Sequence, residues 1–386
     1  MNQPSQTNQT KQTKQTKQTK QTKQTSPEPF GYLVYIGRFE PFHNGHFAML
    51  RQALAQARTV IVVLGSAGGA RTVKNPFTAG ERRQMIEGAV AGWDAARVAD
   101  LRFVAVRDYG ESVRWAAAVR AAVDAVPDVQ PALAAAAQDA PRVGLFGHFK
   151  GASSAYLNDF PGWDPVPQPG FGQLNAADVR QQWFEQQGEL GELVHVLPPP
   201  VAAFLREFAA GGAFATLLAE YRFLQDHRKR WAAAPYPPVF VTVDAVVRCC
   251  GQVLLIRRGG QPGRGAWALP GGFLDQHERV ADAVLRELDE ETRFGLPKEA
   301  LQQSCRAQAL FDHPERSLRG RTLTHAFFFD LPLDALPAVA AADDAAAVRW
   351  VPQHELLALE EQMFEDHLLI LDRFLHLFDG EAQPAG

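Results

Sequence analysis

Cysteine is scarce in this chain: three residues in 386, two of them adjacent, Cys249 and Cys250. Three thiols cannot build a disulfide framework or a four-thiolate zinc site, so a reducing cytoplasm is the expected compartment. No run of about 18 uncharged apolar residues occurs, which argues against a membrane-spanning helix. The N-terminus has no apolar stretch of the kind a secretory signal needs. Acidic side chains are absent from residues 1–27, which carry five lysines. The net charge of −4 includes that +5, so the remainder carries −9, a balance that disfavours a general or specific nucleic-acid binder. What is present suits a globular protein. Hydrophobic residues make up 46%, enough for sizeable cores, and this length implies two or three domains at about 150 residues each.

The first 25 residues nearly repeat Gln-Thr-Lys, with Lys11, Lys14, Lys17, Lys20 and Lys23 in step. With no apolar side chains to bury, nothing offsets the entropy of ordering such a tract, and residues 1–29 are read as a disordered tail. From Phe30 onward, short apolar runs alternate with helical patterns. Gly31–Gly37, Thr59–Gly65, Asp100–Val106 and Arg142–Phe146 read as strands; His46–Arg58, Glu81–Ala91 and Trp115–Val126 read as helices. That alternation predicts an α/β domain over 30–200 with a doubly wound parallel sheet. A helical linker is expected over 201–235, with Val201–Trp231 helical up to the proline cluster Pro235-Tyr236-Pro237-Pro238. Residues 236–386 then read as a smaller α/β domain. Its strands are Val239–Arg248, Gln252–Arg257, Leu323–Leu331 and Ala347–Val351. One strong helix, Val280–Glu291, lies among them, and Gln353–Phe378 forms one or two amphipathic helices.

The first chemically suggestive string is Gly37-Arg38-Phe39-Glu40-Pro41-Phe42-His43-Asn44-Gly45-His46, where a strand ends and a helix begins. Ligands of open parallel sheets bind beyond the carboxyl ends of the strands, and helix N-termini offer free amides to anions. Two histidines three residues apart at such a turn can hydrogen-bond phosphate oxygens, and Gly37 allows close backbone approach. The string resembles the signature of the nucleotidylyltransferase superfamily, and at greater length the archaeal-type nicotinamide mononucleotide (NMN) adenylyltransferases. Gly65-Ser66 with Asn75-Pro76-Phe77-Thr78-Ala79-Gly80-Glu81-Arg82 resembles that family's second block. Arg107-Asp108 with Trp115 resembles the segment that holds the nicotinamide ring. Gly147-His148-Phe149-Lys150, Phe160-Pro161-Gly162-Trp163 and Asn175-Ala176-Ala177-Asp178-Val179-Arg180 also have counterparts. In the last of these, Asn175 and Ala177 stand where the family has hydroxyl residues, while Arg180 is kept.

The resemblance implies a Rossmann-like fold and transfer of an adenylyl group from ATP to NMN. That reaction needs no enzyme nucleophile, because the NMN phosphate attacks the α-phosphorus; positioning and charge stabilisation carry it. The expected catalytic groups are His43, His46 and Arg180, with Arg38 adding to a positive field. Gly37, Arg38, Phe39, Asn75, Arg82, Asp108, Trp115 and Lys150 are expected to bind substrate. Without the resemblance, Trp115 reads equally well as a core aromatic; with it, stacking on the ring is favoured.

A second pattern runs from Pro270-Gly271-Gly272 through Glu278 to Arg286-Glu287-Leu288-Asp289-Glu290-Glu291. On a helix Glu287, Glu290 and Glu291 share one face, and such mutual repulsion is offset by hard divalent cations. The pattern resembles the Nudix hydrolase box, with Arg293 where the box ends in glycine. It implies an α/β/α sandwich that cleaves pyrophosphates. Glu278, Glu287, Glu290 and Glu291 would hold Mg2+ or Mn2+, with Arg286, Glu287, Glu290 and Glu291 catalytic. Phe311–Arg316 with Arg319-Gly320-Arg321-Thr322 resembles the Nudix group fused to NMN adenylyltransferases, which acts on ADP-ribose. Arg316 and Arg319 would then hold a phosphate or ribose, unless they belong to a solvated loop. Two alternatives stay open for this domain: another nucleoside diphosphate as substrate, or a non-catalytic ADP-ribose sensor. The expected small-molecule partners are ATP, NMN and ADP-ribose, and the oligomeric state is left open.

Overall fold

The computed structural model describes residues 30–127, 129, 142–148, 159–169 and 174–379. The N-terminal repeat and Lys150 lie outside them. Five parallel strands form the first sheet: β1 (Phe30–Gly37), β2 (Ala57–Leu64), β3 (Leu101–Ala105), β4 (Val143–Gly147) and β5 (Asp164–Pro167), in the order β3-β2-β1-β4-β5. Alternate residues of the central strands feed opposite cores, which is why these strands read as unbroken apolar runs. Leu33, Tyr35, Val60, Val62 and Leu64 pack with helices α1 (Asn44–Gln56) and α2 (Ala79–Trp93). Val34, Ile61 and Val63 pack with α3 (Ser112–Asp124) on the other face. Gly37 pairs with Leu64, and Leu64 with Ala105. The loops after β1, β2 and β3 therefore leave the same edge of the sheet side by side.

Helix α4 (Ala176–Glu185) returns to this edge, and Trp183 anchors it among Phe77, Phe184, Phe208 and Phe214. The stretch expected as one helix over Val201–Trp231 is two, α5 (Pro199–Ala209) and α6 (Gly212–Trp231), meeting at 81°. The break falls at Ala210-Gly211, and glycine is a poor helix interior residue. Val201, Ala202, Leu205, Phe214 and Leu217 all enter the first core. No single helix among the described residues is long and apolar enough to cross a membrane.

The second sheet has seven strands: β6 (Val239–Cys249), β7 (Gln252–Arg258), β8 (Trp267–Ala268), β9 (Gly271–Phe273), β10 (Cys305–Phe311), β11 (Arg321–Leu331) and β12 (Ala345–Pro352). The main path runs β10-β11-β6-β7-β12, with β6 and β11 parallel and the other pairs antiparallel. Helix α7 (Val280–Thr292) covers one face through Ala283, Val284, Leu285 and Leu288. Helix α9 (His367–Leu375) covers the other through Leu368, Ile370, Leu371 and Leu375. The short helix α8 (Lys298–Ser304) precedes β10. The C-terminal stretch expected as one or two helices holds 3-10 turns at Gln353–Glu355 and Leu357–Gln362 before α9. The short strands β8 and β9 were not anticipated, nor was the pair β5 and β10. Both lie at sheet edges, where the prolines of Asp164-Pro165-Val166-Pro167 are tolerated.

Trp183 is 1% exposed, and its indole N–H donates to the Gly188 carbonyl at 3.0 Å. Trp183→Ala should cost about 3–5 kcal/mol. The loss should appear in denaturant unfolding of the first domain and leave the transition of the second in place.

Candidate active sites

The first site is assembled at the carboxyl edge of the parallel sheet. His43 is the N-cap of α1: its Nδ1 accepts the His46 amide at 3.3 Å, and His46 Nδ1 accepts the His43 amide at 3.4 Å. The two rings stack at 3.7 Å between centroids, tilted by 15°. Burial pushes His43 down to about 4. His46 falls well below the usual imidazole range through burial and its neighbour His43. Both are therefore neutral at pH 7, and His43, accepting through Nδ1, carries its proton on Nε2. Without substrate the histidines thus stand as dipoles, and the permanent charge beside them comes from arginines.

Those arginines are arranged around Glu40. Glu40 is 1% exposed; its Oε1 lies 3.3 Å from Arg82 Nε, and its Oε2 accepts the Phe77 amide at 3.1 Å. Burial raises it to about 7 against the pull of Arg82. Arg82 is wholly buried, and its Nη1 donates to the carbonyls of Arg38 (2.8 Å) and Gly65 (2.6 Å). Its guanidinium thus ties the loops after β1 and β2 together, buried in a place where contact with substrate was expected. Arg180 Nη1 donates to the Glu40 carbonyl, and burial lowers its pKa to about 10. Arg38 is exposed on the same loop.

Phe39 and Gly37 also differ from expectation. Phe39 is buried at φ 56° against Tyr35, Phe42 and His46. A Cβ on Gly37 would meet its ring at 2.7 Å. The glycine makes room for Phe39, and the aromatic side chain belongs to the core. Asn75 pairs its backbone with Thr72, while its Oδ1 is buried without a hydrogen-bond partner among the described residues. Asp108 is exposed and accepts from Ser66 Oγ at 3.1 Å. Trp115 is half-buried on α3, edge-on to Phe160, so it is partly core and partly available.

The second site lies on α7 and the turn before it. A Cβ on Gly271 would meet the Val243 carbonyl at 2.2 Å, and one on Gly272 would meet the Glu287 carboxylate at 2.5 Å. Only glycine lets this turn press against the helix. Arg286 lies at the centre of the glutamates. It donates to Glu278 Oε2 (3.1 Å), Glu278 Oε1 (2.5 Å), Glu287 Oε1 (2.9 Å) and Glu290 Oε2 (2.9 Å). Glu291 is buried, accepts the Gly271 amide at 2.8 Å, and is raised to about 8, chiefly by burial. Burial also raises Glu287, whereas the hydrogen bonds of Arg286 hold Glu278 low. Among the described residues no three carboxylates, imidazoles or thiols stand in metal-chelating positions; the glutamates are drawn onto the guanidinium. The donor set is nonetheless the hard-oxygen kind that divalent Mg2+ and Mn2+ require, and its need for a cation is plain from how Arg286 is surrounded. Arg316 is spent on Asp366 at 2.7 and 2.9 Å; Arg319 lies 4.9 Å over the Phe273 ring and also pairs with Glu365 at 3.9 Å.

Both halves of the chain resemble known proteins. Residues 34–131 match the cytidylyltransferase-like family, and residues 238–374 match the NUDIX domain. The nicotinamide/nicotinic acid mononucleotide adenylyltransferase of Acinetobacter baylyi is 35% identical over 195 residues, 50% of this chain and 94% of that protein. The chain belongs to the NMN adenylyltransferase family. The nicotinamide-nucleotide adenylyltransferase of Thermococcus kodakarensis is 31% identical over 179 residues, 45% of this chain and 81% of its own length. Both halves together match the crystal structure of a bifunctional NMN adenylyltransferase/ADP ribose pyrophosphatase from Francisella tularensis, complexed with AMP and a manganese ion. That match has 31% identity and a TM-score of 0.82, and covers 90% of this chain and 99% of the other.

The departures from the family pattern have local explanations in this adenylyltransferase. Asn175 caps α4, its side chain accepting the Ala177 amide at 3.0 Å, so it supplies the acceptor that a serine would. Arg293 ends α7 at φ 45°, the left-handed conformation for which glycine is preferred. Three positioning residues escaped the sequence reading. Glu40 sat unremarked within the quoted string. Asp244, raised to about 7 by burial, lies beneath Gly271, and His367 Nδ1 accepts the Leu269 amide at 2.9 Å. All three are buried polar groups inside apolar runs, which carry no periodic signal.

The pKa of His43 sets a pH dependence. A base whose pKa falls on folding, here from 6.5 to about 4, contributes its full stability above 6.5 and loses it progressively as pH drops toward 4. The loss amounts to roughly 3 kcal/mol. His43→Asn keeps a capping acceptor and should flatten the slope over that window in denaturant titrations; an unchanged slope would contradict the assignment.

Proposed function

We propose that the first domain joins NMN to the adenylyl group of ATP, giving NAD and pyrophosphate, and that the second hydrolyses ADP-ribose to AMP and ribose 5-phosphate. The observation that carries the reading is the presence, on one chain, of the histidine-capped helix at the edge of a parallel sheet and of a glutamate cluster in which Glu287 and Glu291 lie against Gly271-Gly272 while Glu278, Glu287 and Glu290 share Arg286. In the first reaction an NMN phosphate oxygen bonds to the α-phosphorus as the bond to the β-phosphate breaks. Neutral His43 and His46, with the α1 amides behind them, meet the phosphate oxygens as preorganised dipoles. Arg38 and Arg180 supply fixed positive charge toward the departing pyrophosphate, and Asn75 offers its orphaned acceptor. Asp108 and Trp115 hold the nicotinamide side, Trp115 through its half-buried face.

In the second reaction Glu278, Glu287, Glu290 and Glu291 would bind Mg2+ or Mn2+, which neutralises the pyrophosphate and acidifies the attacking water. Arg286 holds the first three of these together and would share them with a bound cation. Glu291 fixes the Gly271 amide, and Arg319 over Phe273 offers charge and an aromatic face to the substrate. The helical pair α5–α6 is assigned to the adenylyltransferase unit, whose core it shares.

Two substitutions separate the activities. His46→Ala should lower NAD synthesis by roughly two to three decades and spare ADP-ribose hydrolysis. Glu290→Gln should abolish AMP release from ADP-ribose, with at best partial rescue by excess magnesium, and spare NAD synthesis. Parental rates in either variant would refute that half of the assignment. Trp115→Ala should weaken NMN far more than ATP in steady-state kinetics; equal losses would make it a core residue only.

A further inference from the structure

The loops that carry the nicotinamide side of the first site are fastened to the other catalytic half. Ala67 N donates to the Val106 carbonyl at 3.0 Å and Ser66 Oγ to Asp108 at 3.1 Å, so the loops after β2 and β3 are joined to each other. Across this joint lies Glu360, from the 3-10 turn Leu357–Gln362 of the Nudix half. Its Oε2 is 3.2 Å from Arg107 Nη2, and a Cβ on Gly68 would lie 2.8 Å from the same carboxylate. The Glu360 side chain thus touches both loops at once. Only 9% of the Arg107 side chain and 16% of that of Glu360 are exposed, so solvent screens this pair little.

The rest of the segment is held from the same side. Arg107 lies 4.8 Å over the Phe378 ring, and Tyr109 meets that ring edge-on at 5.5 Å. Arg114, the residue before Trp115, donates to Asp372 at 2.8 Å and to Asp379 at 3.3 Å. Asp108 and Trp115 are therefore bracketed by Arg107, Tyr109 and Arg114, each of which has a partner in the C-terminal stretch of the Nudix domain.

We propose that Glu360 is a positioning residue for the adenylyltransferase: by bridging Gly68 and Arg107 it sets the segment 107–115 against the nicotinamide nucleotide. Glu360 touches no reacting atom; it acts through Arg107. The inference rests on the assignment of that segment to NMN, and it makes the first site incomplete without the second domain.

The test uses the full chain with Glu360→Ala and the size-conserving Glu360→Gln, which guards against a folding defect. NAD synthesis is followed with NMN and ATP varied in turn, and ADP-ribose hydrolysis is assayed alongside. Losing such a coupling contact should raise the KM for NMN by roughly two- to thirtyfold in the alanine variant, less in the glutamine variant. The KM for ATP and the hydrolysis of ADP-ribose should stay at parental values. An unchanged KM for NMN, or equal rises for NMN and ATP, would overturn the proposal, including the case where the variants merely melt earlier. Failure of the unaltered chain to make NAD from NMN would instead overturn the adenylyltransferase reading and this inference with it.

Discussion

A carboxylate buried at the end of the first strand governs how the adenylyltransferase site is built. Glu40 alone would be too costly to bury, and Arg82 alone equally so; together they are tolerated because each has further partners. Arg82 reaches the carbonyls of Arg38 and Gly65, Glu40 takes the Phe77 amide, and Arg180 reaches the Glu40 carbonyl. Four stretches distant in sequence thereby acquire fixed relative positions: the loops after β1 and β2, the start of α2, and α4. The capping histidines, held in the same loop, can then be neutral and still be well aimed, because orientation rather than charge is what the buried pair provides.

The Nudix half solves a related problem with the opposite sign. Its helix gathers carboxylates, and a single guanidinium, Arg286, holds three of them, while Glu291 is pinned by a backbone amide. Burial raises both Glu291 and Glu287 above the usual carboxylate range, so taking these groups out of water is the main cost of the arrangement. Each site thus has one arginine that organises neighbours, Arg82 in the first and Arg286 in the second, distinct from arginines poised toward substrate.

The α/β alternation, both sheets and the helices bearing the motifs were legible because each follows a simple period. Val280–Glu291 was read within one residue of its observed end, and both catalytic strings fell at the element boundaries expected of them. The elbow at Gly211 was missed because an apolar pattern persists on both sides of the bend. Edge strand β5 was missed because its prolines speak for a loop unless the neighbouring strand is known. Among the expected site residues, spacing anticipated that the two histidines would meet and that Glu278, Glu287 and Glu290 would gather, because those contacts are local. It mistook Arg82 and Phe39, whose orientation is decided by partners far away in sequence, and it overlooked Glu40, Asp244 and His367 for the same reason.

The junction between the halves also bears on how the chain is made. Lys74, Arg107, Arg114 and Glu220 belong to the part synthesised first; their partners Glu315, Glu360, Asp372 and the Gly263 amide all belong to the part synthesised later. At about 5–20 residues per second, the first domain waits on the order of ten seconds with this face open to water. Lys74, Arg107, Arg114 and Glu220 place charge on that face beside the aromatic Tyr109, and charge keeps it wettable. The last of these partners, Asp372, lies on α9, so synthesis supplies the junction's contacts in sequence, Gly263 first and Asp372 last.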